Sequence, residues 1–91
     1  MTERVEAITA RLTTSLEPTA LQVRDQSHLH AGHAGAKDGR GHFAVDIVSS
    51  AFEGASRIER HRMIYESLGT LMDTDIHALS IRARTPSEDS N

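Results

Sequence analysis

Ninety-one residues, 37% of them hydrophobic and 25% charged, suit one domain with one core; they are too few for a large multi-step enzyme and too apolar for general disorder. Ten basic residues against thirteen acidic ones give a net charge of −3, so a polyphosphate partner has to be met by a local basic patch. Cysteine is absent, which removes disulfides, thiol nucleophiles and thiolate metal sites and leaves imidazoles, carboxylates or a partner's sulfurs as metal ligands.

The chain begins MTERVEAITARL, with acids and arginines but no apolar leader, and reads as a cytoplasmic protein. Val5, Ile8, Leu12 and Leu16 recur at three- and four-residue steps behind Thr2, predicting an amphipathic helix over 3–16 that Pro18 ends. Leu21 and Val23 alternate with Gln22 and Arg24 in a short strand, Ala20 to Asp25. Residues 26–41, QSHLHAGHAGAKDGRG, hold four of the six glycines and almost nothing that packs, so a long flexible loop is expected there.

His42 to Val48 follows as a strand with Phe43, Val45 and Ile47 on one face, and Ser49 to Gly54 breaks it as a turn around Phe52. Ser56 and Glu59 have capping-box spacing, predicting a helix whose apolar face runs through Ile64, Tyr65, Leu68, Leu71 and Met72. Ile76 to Ala83 alternates as a last strand, with His77, Leu79, Ile81 and Ala83 on one side, and 87–91 is a polar, disordered tail after Pro86. The fold class is α+β: a single domain of α-β-β-α-α-β order over 1–86, a three-stranded mixed sheet with helices on one face.

Histidine is the unusual component. His28, His30, His33 and His42 fall within fifteen positions. The first three form an H-x-H-x-x-H run among glycines, which suits either a solvated loop or imidazoles that swing onto one metal ion. His77 on its strand suits a half-buried core residue bonded to a backbone carbonyl. His61, near the long helix's apolar stripe, reads as packing, and His42 as a residue supporting a nearby site. Arg57, Arg60 and Arg62 cluster around the first turns of that helix, either as a solvated face paired with glutamates or as a phosphate-contacting surface for nucleic acid. No nucleophile, base and acid converge and no phosphate loop is present, so no enzymatic activity is expected.

Several segments together resemble one family. HAGH (His30 to His33), HFAVDIVSSAF (His42 to Phe52), the Gly54-x-Ser56 turn, RHRMIY (Arg60 to Tyr65), IHALSI (Ile76 to Ile81) and Thr85-Pro86 are similar to the BolA-like proteins over nearly the whole chain. The resemblance implies a class II KH-like fold. It also implies a role beside monothiol glutaredoxins in iron-sulfur and iron handling, and for some members a DNA-binding transcriptional role in stress response and cell shape.

By the same resemblance His77 and one loop histidine, His30 or His33, with His28 also in the run, are ligands of a [2Fe-2S] cluster shared with the glutaredoxin and its glutathione. Two imidazoles on one iron is known cluster chemistry, and a cysteine-free chain needs the partner's sulfurs for the rest. The isolated chain is then expected to hold no stable cofactor, to be a monomer or weak dimer, and to need no membrane.

Overall fold

A computed structural model describes residues 2–26 and 41–89. The expected loop, and with it His28, His30 and His33, falls in 27–40, outside the described residues. Helix α1 (Thr2–Leu16) turns Ile8, Leu12 and Leu16 into the core. It ends where Glu17 takes a positive φ of 46° and returns its amide to Thr13 O at 3.1 Å, before Pro18 forbids another turn.

The sheet consists of β1 (Ala20–Asp25), β2 (Gly41–Val48) and β3 (Ile76–Arg84) in the order β1-β2-β3. β1 runs antiparallel to β2 and β3 parallel to it, so the chain must cross over between β2 and β3. That crossover holds a 3₁₀ turn (Ser50–Phe52), α2 (Arg57–Leu68) and α3 (Leu71–Thr74). Central β2 has neighbours on both sides and buries Phe43, Val45 and Ile47, with Ile76 of β3 as deep. They meet Ile8, Leu12, Phe52, Ile64 and Leu68 in one core. The mixed three-stranded α+β domain is thus as the sequence predicts.

Buried Ser49 joins two layers: its Oγ donates to Leu16 O at 2.6 Å and accepts from Ala51 N at 3.1 Å. The capping box forms in full, with Glu59 N on Ser56 Oγ at 3.1 Å and Ser56 N on Glu59 Oε1 at 2.7 Å.

Four expectations change. The long helix does not run through Met72: Gly69, at a φ of 54°, ends α2, and α3 restarts at Leu71. Tyr65 is 41% exposed, because the buried stripe of α2 is the narrow line of Ile64 and Leu68, and Tyr65 lies about 100° around the helix from Ile64. His77 does not share the inward face of Leu79 and Ile81. Gly41 pairs with Ile76 but His42 pairs with Ala78, so His77 is the extra residue of a bulge and lies exposed, while Ile76 and Leu79 both turn inward. Finally, the segment read as tail from 87 continues the structure as α4 (Pro86–Asp89). Thr85 N donates to Glu88 Oε1 at 2.9 Å and Glu88 N to Thr85 Oγ1 at 3.2 Å, a second capping box with proline at the first helical position.

Candidate functional site

The bulge that expels His77 brings it against His42 on the neighbouring strand. Their rings stand 5.1 Å apart between centroids at 52°. The backbone fixes both: Gly41 N donates to Asp75 O at 2.9 Å just before β3, and Gln26 N donates to His42 O at 2.7 Å. Gln26 and Gly41, the described residues that flank 27–40, are therefore both beside the imidazole pair. Among the described residues no group of three or more His, Cys, Asp or Glu side chains gathers at one point. Two neighbouring nitrogen bases, an exposed His77 and a half-buried His42, suit an imidazole-binding metal that draws its other ligands from elsewhere.

His61 is half-buried in α2 and faces the groove between α2 and β3, apart from this pair. Arg57, Arg60, His61 and Arg82 border that groove, which has a volume of about 430 Å³. The three arginines of the α2 cluster differ in what they do. Arg57 and Arg62 are exposed. Arg60 is clamped: Nε donates to Ala55 O at 3.0 Å, Nη1 to Ala83 O at 3.1 Å, and the guanidinium forks onto Glu88 at 2.7 and 3.2 Å. It ties α2, β3 and α4 together. The sequence offers glutamate pairing for the cluster through Glu53, Glu59 or Glu66 but not through Glu88, although T-P-S-E (Thr85 to Glu88) is itself a legible helix start that would have placed a carboxylate near β3.

Arg60 and the amide of Thr85 hold the Glu88 carboxyl at about 2, against an ordinary 4.5. Because the folded value is the lower one, the stabilisation is present above about pH 4.5 and is lost as the pH falls towards 2. Glu88→Gln is expected to remove this acid-sensitive component, so the difference in melting temperature between wild type and variant should shrink across that window.

Comparison with known proteins fits this architecture. The profile of the family described as BolA-like protein matches residues 12–88. Protein BOLA1, chloroplastic, of Arabidopsis thaliana is 47% identical over 88 residues, which cover 93% of this chain and 55% of that protein. The DNA-binding transcriptional regulator BolA of Escherichia coli (strain K12) is 37% identical, over 91% of this chain and 76% of its own length. The solved BolA domain of SufE1 from Arabidopsis thaliana superposes with a TM-score of 0.82 at 45% identity, covering 93% of this chain and 94% of that one. The chain spans about half the length of the Arabidopsis chloroplastic protein.

Proposed function

We propose, from the premise that this chain belongs to the BolA-like protein family, that it is a non-enzymatic adaptor in iron-sulfur handling which docks a monothiol glutaredoxin and supplies histidine ligands to a bridging [2Fe-2S] cluster. The observation that carries the reading is the exposed His77 on its bulge, packed against His42 beside Gln26 and Gly41, which flank residues 27–40. His77, set on a hydrogen-bonded strand, is the fixed ligand, and His30 or His33, on the segment tethered at Gln26 and Gly41, is the second. His42 orients the His77 ring from the adjacent strand. Histidine in place of thiolate raises a cluster's reduction potential and makes its retention sensitive to protons. The partner's cysteine and glutathione supply the sulfurs this chain lacks. Among the described residues no helix is long and apolar enough to cross a membrane.

Adding the chain to a glutaredoxin reconstituted with its cluster tests this: the visible circular dichroism of the cluster should change with saturating stoichiometry. His77→Ala should abolish the change without altering thermal stability, since the side chain lies outside the core. An unchanged spectrum with wild type removes the reading.

A second reading, DNA binding, has a specific observation behind it, the arginine-bordered groove between α2 and β3, together with the name of the Escherichia coli relative. Phosphate contacts there predict duplex binding that falls steeply with salt. Arg57→Ala, which breaks no hydrogen bond or ion pair among the described residues, should lower the salt slope by about one unit, whereas Arg62→Ala, in a separate hollow lined by Glu53, Glu59 and Glu66, should leave it nearly unchanged. No duplex retention at low salt removes this reading.

A further inference from the structure

The helices cover one face of the sheet, and the described residues leave the other polar. Across it, register aligns Gln22, Asp46 and Arg82 in one row and Arg24, Ala44 and Ser80 in the next. The small Ala44 and Ser80 side chains floor a depression of about 260 Å³ walled by the other four. A parallel pair such as β2 and β3 is ordinarily covered on both faces, so a bare one with a shaped hollow invites an occupant.

The charges around the hollow decide which occupant it fits. Arg84 donates to Asp46 Oδ1 at 2.9 Å and pairs with Asp89 at 2.8 Å, so its own charge is cancelled. Arg24 is oriented by Gln22 Oε1 at 2.9 Å, a neutral partner that leaves the guanidinium charge in place. Arg82 has no ion pair among the described residues. Two uncancelled guanidiniums are therefore carried on opposite rims by strands two spacings apart and in rows two residues apart, which sets their Cα atoms roughly 12 Å from one another, in a chain of net charge −3. Asp46, held by Arg84 through Oδ1, also lines the depression, and among the described residues its second carboxylate oxygen takes part in no side-chain hydrogen bond.

We infer that this hollow binds a small oxyanion ligand, a phosphate monoester or a carboxylate, that also carries an ammonium or hydroxyl donor. Arg24 and Arg82 hold the oxyanion, whose geometry the guanidinium fork matches, and Asp46 accepts the donor and repels an anion without one. The residues that line the hollow include no aromatic ring for a base to stack on: Phe43 and Phe52 are buried in the core, Tyr65 lies on α2, and the imidazole of His42, on the same face of β2, lies in the row beyond Ala44. The volume sits near the lower end for ligand pockets, which suits a molecule of amino-acid size. Arg82 also borders the α2–β3 groove, whereas Arg24 and Asp46 belong to this face alone and so discriminate between the two surfaces.

The test is a ¹⁵N NMR titration of the whole chain at constant ionic strength with O-phosphoserine, aspartate and sulfate. O-phosphoserine or aspartate should give saturable shifts centred on Arg24, Ala44, Ser80 and Arg82, and whichever binds tighter identifies the oxyanion; sulfate, which lacks a donor, should bind at least about tenfold more weakly. Arg24→Gln combined with Arg82→Gln should weaken binding at least about tenfold. Asp46→Asn, which retains a neutral contact to Arg84, should erase the preference over sulfate. His77→Ala should change none of this, so the result stands apart from the histidine reading. Shifts that fail to saturate, or that survive the double substitution, would overturn the inference. So would a single-stranded oligonucleotide moving the same amides at lower concentration.

Discussion

Phe52→Ala is expected to destabilise the domain by about 3–5 kcal/mol, the largest effect of any single substitution considered. The ring is fully buried between sheet and helices. Its backbone cannot follow a collapsing cavity, because the turn is pinned on both sides. Ser49 holds the C-terminal end of α1 through Leu16 O, and Ala55 N donates to Phe52 O at 3.0 Å. Small domains have only about 5–15 kcal/mol in total, and each kcal/mol moves the midpoint of a domain this size by roughly 4–8 °C. Thermal unfolding followed by far-UV dichroism should therefore show a midpoint lower by at least about 12 °C. A fall of only a few degrees would show that the turn relaxes into the space and that Phe52 is not the keystone between layers.

Arg60→Ala should come second, costing about 2–3 kcal/mol, because it strips partners from Ala55 O and Ala83 O and frees Glu88. Arg60→Lys should recover only part of the loss, since an ammonium cannot fork onto both carboxylate oxygens and still reach Ala55 O. Arg57→Ala and Arg62→Ala, on exposed positions of the same helix, should stay within about 0.5 kcal/mol of wild type. Chemical denaturation of the four variants checks the contrast; equal effects at all three positions would contradict the clamp. The contrast also bears on DNA binding, because a defect in Arg60→Ala reports a loosened fold as readily as a lost phosphate contact.

The sequence made most of the fold legible wherever one local signal dominated. Ile8, Leu12 and Leu16 at helical spacing, the alternation through Phe43, Val45 and Ile47, and the Ser56–Glu59 capping box all correspond to observed elements. What alternation missed was a change of parity. Ile76 and Leu79 are both large and apolar yet an odd number of residues apart, so they share a face only if one residue between them bulges out. That residue is His77, and the same bulge moves it from the expected half-buried position to the surface beside His42. The pairing itself depends on strand register, which nothing within either strand encodes. The clamp on Arg60 was hidden for a related reason: its partners, Ala83 and Glu88, are 23 and 28 residues away.

The central claim, that histidine nitrogen of this chain ligates the shared cluster, is tested most directly by pulsed electron-nuclear spectroscopy of the reduced complex, with ¹⁵N-histidine in this chain and the glutaredoxin unlabelled. Strong ¹⁵N couplings from two histidine nitrogens that persist in His61→Ala, and that lose the contribution of one nitrogen in His77→Ala wherever the cluster is retained, are the predicted result. A wild-type complex that retains its cluster but shows no ¹⁵N coupling would contradict the account, because every ligand would then come from the partner and its thiols.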